Sequence, residues 1–380
     1  METRSLHYVT NRAHEGDDRW HPTGYGPRVS EDGGENLRFG KVTLTLDPER
    51  VRELFEADSG FGFGDGAGLA AHVLGRKDSA TIEAFEETLS KDASETRQPK
   101  KRAGSARTFA DLTKEMRRGH DVLVFVHGFN VSWWEAVASA TALELMINRD
   151  KRPGRREVKV LLYTWPSDGK AIPYWSYFSD RGEARSSGDA LGRGFLKLRD
   201  YLIEARRADR AANRDACLQS FHLLCHSMGN YVLEHALQRT REFSVNSRPP
   251  RLFEQIFLCA ADVADDVFEP DRPFRALPEL AETVTVYHNK RDLAMPVSDY
   301  TKGNSDRLGW RGASRPADLD GRVHQVDCST IVTGFVQHGY YACGRVNDDI
   351  CSSLDGVSPD DTARHRAAVR NGWPNVWRMV

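Results

Sequence analysis

The sequence predicts a mostly parallel, twisted β-sheet with α-helices on both faces. Between residues 121 and 345, short apolar runs typical of buried strands alternate with longer segments of helical periodicity. This alternation favours parallel pairing, because each helix carries the chain back across one face of the sheet. Ligands in such sheets bind beyond the carboxyl ends of the strands, so the residues that follow each strand are the candidates for a site.

The pattern defines the individual elements in chain order. Strands are predicted at residues 6–11, 37–46, 122–126, 158–164, 220–225, 253–260, 283–288 and 322–326, the last of the sheet. Helices are predicted from Pro48, which suits a first turn, and at residues 82–89, 108–118, 132–148, 183–208 and 228–241. Ser132 precedes its helix as the cap.

The chain divides into three predicted regions. Residues 1–120 hold two strands and a polar, partly helical insert that packs on the core, residues 121–345 form the core, and residues 346–380 form a helical tail. The connection between the strands at 253–260 and 283–288 has only about 20 residues, which excludes a large cap domain at that place.

Composition limits the class of protein. The 380 residues are 39% hydrophobic with a net charge of -2, and the mean hydropathy is -0.57. No run approaches the roughly 18 apolar residues of a membrane helix. The six cysteines show no C-x-x-C spacing. We therefore expect a cytoplasmic protein with reduced cysteines, no transmembrane segment, no metal or organic cofactor, and no nucleic-acid partner.

One junction predicts a nucleophile. The predicted strand at 220–225 leads to Ser227 and then at once into a helical pattern, and Gly229 is as small as a sharp strand-to-helix turn requires. Cys225 stands where a glycine is usual, and its side chain is still small. Such a turn exposes the Ser227 hydroxyl and directs the Met228 N–H, at the positive end of the helix, towards the same point.

A serine nucleophile needs a base and an acid that orients the base. Asp292 follows the strand at 283–288, and His338 follows the last predicted strand. Asp262, after the strand at 253–260, is the alternative acid. His288 and His324 are weaker candidates for the base, because they lie within predicted strands, where a packed histidine is the commoner outcome.

Many short motifs together carry a family resemblance. They include Tyr8-Val-Thr-Asn-Arg12, His127-Gly-Phe-Asn130, Thr164-Trp-Pro-Ser-Asp168, His226-Ser-Met-Gly229, Ala260-Ala-Asp-Val263, Asn289-Lys-Arg-Asp292, Arg307-Leu-Gly309 and His338-Gly-Tyr-Tyr341. With these motifs the chain resembles an uncharacterised bacterial branch of the α/β hydrolases, a domain of unknown function that is loosely esterase- or lipase-like. The chain order serine, aspartate, histidine is the order of that superfamily.

The resemblance implies an α/β-hydrolase fold and a serine esterase with a Ser227–His338–Asp292 triad. It places the oxyanion donors at the N–H groups of Phe129 and Met228, and it makes His127 a residue that holds the turn. Four aromatic residues near the strand ends are expected to line a pocket for a small-molecule or lipid ester: Trp133, Trp165, Tyr174 and Trp175.

Other functions stay open at this point. The chain could be an amidase or peptidase, or a scaffold or partner-regulated effector on a hydrolase fold in a larger bacterial system. A protein partner would then bind through residues 48–118, whose long polar inserts depart from the family pattern. The oligomeric state does not follow from the sequence.

Overall fold

A computed structural model describes residues 1–86, 104–150, 154–167, 173–215, 217, 219–244, 246, 248–294, 306–332, 338–369 and 373–380, with residues 173–180 described by their backbone alone. The strands are β1 Glu2–Thr10, β2 Arg12–Glu15, β3 Gly24–Val29, β4 Arg38–Leu46, β5 Thr81–Phe85, β6 Asp121–Val126, β7 Val158–Thr164, β8 Phe221–His226, β9 Phe253–Cys259, β10 Ala281–His288, β11 Val323–Asp327, β12 Arg366–Ala368 and β13 Val376–Met379.

Across the described residues, eleven of these strands form one sheet in the order β12-β13-β11-β10-β9-β8-β6-β7-β1-β4-β5. The eight strands in the middle of this order, from β13 to β1, pair in parallel. At one edge β4 pairs antiparallel with β1 and β5 antiparallel with β4, and at the other edge β12 pairs antiparallel with β13. β2 and β3 form a separate hairpin. The predicted fold class, a mostly parallel sheet with helices on both faces, is confirmed.

The helices are α1 Pro48–Glu56, α2 Gly66–Leu74, α3 Gly104–Arg117, α4 Trp133–Ile147, α5 Pro173–Ala211, α6 Gly229–Glu242, α7 Leu277–Leu280, α8 Leu308–Arg311 and α9 Gly344–Leu354. The Ser132 hydroxyl accepts from the Glu135 N–H at the start of α4, and the Glu135 carboxylate accepts from the Ser132 N–H, so the predicted cap is a full capping box.

Two hydrophobic clusters cover the two faces of the sheet. The side chains of β6 alternate between them, with Leu123 and Phe125 in one and Val122 and Val124 in the other. The first cluster also contains residues of α1, α2, α4 and α9, and the second contains residues of α3, α5 and α6. This double burial explains why all six residues of β6 are buried and why the sequence of the strand is nearly continuously apolar.

Two predictions about the edges of the sheet are wrong. Residues 82–85 of the predicted 82–89 helix belong to β5, which pairs with the free edge of β4, and residues 87–89 lie outside the described part. The predicted helical tail is helical only in α9, and β13 then pairs with β11 and β12 with β13. These strands are short, and β5 and β13 pair with strands that are distant in sequence, β4 and β11, so local periodicity misassigns them.

The described part of residues 48–118 packs on the core rather than extending from it. α1 and α2 contribute buried residues to the first cluster, and α3 contributes to the second. A methyl group on Gly66, in the first turn of α2, would lie 2.0 Å from the carbonyl oxygen of Ala342, so this helix lies directly against the C-terminal region. Of the described helices, none has both the length and the apolar character needed to cross a membrane.

Candidate active site

Ser227 sits in a strained turn between β8 and α6. Its φ of 50° lies in the left-handed region, which non-glycine residues rarely occupy and which persists only when the surroundings enforce it. The surroundings here are hydrogen bonds. The Ser227 N–H donates to the Cys259 carbonyl at 2.9 Å, and the Ser227 carbonyl accepts from the Asp262 N–H at 3.1 Å and from the Asn230 side chain at 3.0 Å.

Two glycines allow the turns after β6 and β8 to touch. A methyl group on Gly229 would lie 2.6 Å from the carbonyl oxygens of Val126 and His127. A methyl group on Gly128 would lie 2.8 Å from the Ser227 Cβ. Any larger side chain at either position would separate the two turns. Cys225, the departure from the usual glycine, is fully buried, and burial raises the pKa of its thiol well above the ordinary value.

Asp292 and His338 form a direct pair at the carboxyl ends of the strands, where Ser227 also lies after β8. The His338 Nδ1 donates to the Asp292 Oδ2 at 2.7 Å. The Asp292 side chain is completely buried, whereas His338 retains 22% of its side-chain exposure. The second carboxylate oxygen accepts from the Ala294 N–H at 3.0 Å, which fixes the rotation of the carboxylate. The imidazole is therefore held through Nδ1, and Nε2 is the nitrogen that could take up a proton.

His226 connects this pair to the turn that holds Ser227. Its Nε2 donates to the His338 carbonyl oxygen at 3.0 Å, and the centroids of the two rings lie 4.6 Å apart. Burial, followed by the charge of His338, holds the pKa of His226 well below its ordinary value, so this ring stays neutral. His226 immediately precedes Ser227, so the tether places His338 beside the turn. Sequence reasoning gave His226 no role beyond its place in the motif at residues 226–229.

The alternative acid has another partner. Asp262 lies 3.5 Å from the buried Arg307 Nε, and its N–H supports the Ser227 carbonyl, so it braces the turn from the β9 side. The alternative bases lie within strands β10 and β11. His324 Nδ1 accepts from the Trp377 indole at 3.4 Å, and burial lowers the pKa of both His288 and His324 to about 4.

Two of the four aromatic residues expected to line a pocket lie in the core. Trp133 is 2% exposed and packs against Tyr8 and Tyr25, and Trp165 is fully buried against His127. Neither ring offers surface to a ligand, so the structure contradicts their assignment to a pocket wall. The side chains of Tyr174 and Trp175 lie outside the described part of the chain.

The two expected oxyanion donors follow adjacent strands. Met228 is the residue that caps α6, so its N–H lies at the positive end of that helix. Phe129 is half-buried in the turn after β6, next to the Gly128 that touches Ser227. Sequence reasoning gave no role to Arg12, which is fully buried behind this turn. The signal was a charged residue directly after a strand, within the motif at residues 8–12.

Comparison with known proteins gives a family but no characterised relative. No curated protein matches the sequence. A solved structure described as "the putative cell surface hydrolase from Lactobacillus plantarum WCFS1" is similar at 12% identity and a TM-score of 0.32, over 65% of this chain and 96% of that one. The sequence pattern of one family matches residues 103–345, well over half of the chain. The chain therefore belongs to the alpha/beta hydrolases of unknown function grouped as DUF900.

Proposed function

We propose that the chain is a serine hydrolase that cleaves a carboxylic ester, with Ser227 as nucleophile, His338 as base and Asp292 as the orienting acid. The observation that carries this proposal is the 2.7 Å pair of Asp292 and His338, tethered by His226 to a serine with φ 50°. A buried serine in a strained turn would not by itself distinguish a nucleophile from an ordinary turn residue. A serine beside a buried aspartate–histidine pair has the parts that acyl transfer needs.

The reaction follows from the roles of these groups. The Ser227 Oγ attacks the ester carbonyl while His338 takes its proton, and Asp292 stabilises the imidazolium that forms. The negative charge on the carbonyl oxygen is then bound by the N–H groups of Met228 and Phe129. His338 returns the proton to the departing alcohol, which leaves an acyl group on Ser227. Water, deprotonated by His338, releases the acid and restores the serine.

The test is labelling of the purified protein with a fluorophosphonate probe, which reacts with activated serines. We expect wild type to be labelled, Ser227→Ala to be unlabelled, and Ser314→Ala, a serine in the exposed loop after α8, to label like wild type. No label on folded wild-type protein would overturn the proposal and leave the scaffold interpretation.

A second measurement separates esters from amides. We expect p-nitrophenyl esters in a chain-length series to be hydrolysed, with Ser227→Ala reduced to the small residual rate that oxyanion binding alone provides. The matched p-nitroanilides should react far more slowly. Faster hydrolysis of the anilides would replace the esterase by an amidase on the same triad.

A further inference from the structure

His127 is almost completely buried beside the site, and the reaction above does not use it. The ring is buried between the turn after β6 and the end of β7, stacked on Trp165 with centroids 5.4 Å apart and planes 7° from parallel. Burial, and then the charge of Arg12, lowers the pKa of His127 to about 3. The ring is neutral at any pH at which the enzyme would work, so its two nitrogens have different roles.

The neighbours determine which nitrogen carries the hydrogen. Nε2 receives the Trp165 backbone N–H at 3.2 Å and lies 3.4 Å from the Arg12 Nη2, and both of these groups can only donate. The Thr164 hydroxyl, at 2.9 Å from Nε2, accepts from the Arg12 Nε and so has its own hydrogen to give. Nε2 is therefore the acceptor. The hydrogen lies on Nδ1, which faces the Gly128 carbonyl oxygen at 2.8 Å.

This hydrogen bond sets the direction of one peptide group. A trans peptide is planar, so the Gly128 carbonyl and the Phe129 N–H point in opposite directions. β6 lies between β7 and β8, and the His127 ring contacts the residues that end β7. The carbonyl is thus held towards β7. The Phe129 N–H then points towards β8, the strand that leads to Ser227.

We propose that His127 is a positioning residue for the hydrolytic reaction. Its Nδ1–H holds the Gly128 carbonyl and so directs the Phe129 N–H at the oxyanion above Ser227. Arg12 completes the arrangement from behind, because its Nη2 also donates to the Val131 carbonyl at 2.7 Å and closes the far end of the turn. This inference rests on the proposed function, since an oxyanion forms only if Ser227 attacks a carbonyl.

Two substitutions of His127 distinguish the contribution of Nδ1 from that of Nε2. The His127→Gln amide reaches the place of Nε2 and leaves the Gly128 carbonyl without a donor, whereas the shorter amide of His127→Asn reaches the place of Nδ1. We expect His127→Gln to lower kcat by about 100-fold, the effect of one lost oxyanion donor, with KM within about threefold. His127→Asn should recover most of that loss.

The specific readout is an oxoester compared with its thionoester, in which sulfur replaces the carbonyl oxygen. Sulfur accepts hydrogen bonds poorly, so an enzyme with an intact oxyanion site strongly prefers the oxoester. We expect this preference to fall in His127→Gln by about the same factor as kcat and to return in His127→Asn. A matched control is His222→Gln, a buried histidine at the opposite end of the sheet, which should leave the preference at the wild-type value.

Failures of the two proposals differ. If wild type hydrolyses the oxoester but His127→Gln keeps the wild-type preference, this inference is overturned and the proposed function stands. If wild type takes no fluorophosphonate label and hydrolyses neither ester, both fall. Should the variants not fold, the nitrogen chemical shifts of His127 in wild-type protein decide. A hydrogen on Nδ1 supports the inference, and a hydrogen on Nε2 contradicts it.

Discussion

Two aspartate–histidine pairs lie at opposite ends of the same sheet. At the carboxyl end, His338 Nδ1 is 2.7 Å from Asp292, and the ring is 22% exposed. At the amino end, His222 Nε2 is 3.3 Å from Asp121, and both side chains are completely buried. Asp121 also accepts from the Ser220 N–H at 2.9 Å and from Arg156 at 3.2 Å.

The difference shows that such a pair is not by itself a site. Burial tends to raise the pKa of Asp121, but His222, the Ser220 N–H and Arg156 outweigh it and lower that pKa. The carboxylate is thereby used to join the start of β8 to β6 and to Arg156. The pair at the carboxyl end has fewer competing donors, an accessible ring and a strained serine beside it. We therefore expect the position of a pair at the carboxyl ends of the strands, and not the pair itself, to distinguish a reactive site from a structural contact.

The largest expected difference is in ester hydrolysis when the histidine of each pair is replaced in turn. His338→Gln removes the base, and ester hydrolysis should fall by about 10⁴-fold or more. His222→Gln should leave turnover per folded molecule within about threefold and lower the free energy of unfolding by about 1–3 kcal/mol, the cost of disturbing a buried polar pair. Initial rates and urea denaturation measure the two quantities. Equal losses of activity in both variants would erase the distinction.

The aspartates sharpen the same comparison. Asp292→Asn keeps the shape but loses the charge that stabilises the imidazolium, so kcat should fall by about 10³–10⁴-fold with the fold intact. Asp121→Asn should mainly destabilise, because Arg156 and His222 lose their carboxylate. A nearly active Asp292→Asn would reopen the assignment of the acid, with Asp262→Asn as the next variant to assay.

A smaller effect is expected at the turns. Gly128→Ala places a methyl group 2.8 Å from the Ser227 Cβ, so we expect about 1–3 kcal/mol of destabilisation and a clear loss of probe labelling. Gly182→Ala is the control, because beyond its own stretch of helix no atom of the described residues lies within 4 Å of the added methyl group, and alanine suits helix α5 better than glycine does. Normal labelling of Gly128→Ala would show that the two turns need not touch.

The last test changes no residue and concerns the dependence of stability on pH, with no effect expected on activity at neutral pH. The pKa values of His127, at about 3, and of His288 and His324, at about 4, all lie below the ordinary 6.5. Above pH 6.5 these histidines are neutral in both the folded and the unfolded chain, so they do not change the free energy of unfolding. Between pH 6.5 and about 4 these histidines bind protons in the unfolded chain but not in the native chain. As the pH falls through this range, each histidine should therefore lower the free energy of unfolding by about 1.4 kcal/mol per pH unit. Urea midpoints at pH 7, 6 and 5 test this, and a flat series would contradict it.

The sequence was sufficient to predict those strands whose burial is visible in their own apolar residues. Strands β6 to β11 are largely buried on both faces, so their apolar runs are visible in the sequence. Ser227, Asp292 and His338 were proposed because they come after β8, β10 and β11. The structure places Asp292 and His338 together, but whether they catalyse anything stays a prediction. Local pattern could not find β5 or β13, because their partners β4 and β11 are distant in the chain, and the very short β12 is a strand only through its pairing with β13.

The errors at the site have a related cause. Trp133 and Trp165 follow the right elements, but sequence does not tell which side of a loop faces the core. The role of Arg12 depends on β1 lying beside β7, which no motif at residues 8–12 reveals. A buried arginine is also costly unless it is fully hydrogen-bonded. That cost is the physical reason for attention to charged residues at the ends of apolar strands.

The hydrogen bond between Arg12 and Thr164 has a consequence for the time course of folding. The two residues are separated by 152 positions, so the contact forms only after a large loop has closed, which is entropically slow. The turn at 127–131 depends on that contact and cannot reach its final shape earlier. During refolding, therefore, helix content should return first, and reactivity of Ser227 towards a fluorophosphonate should return with the slowest phase.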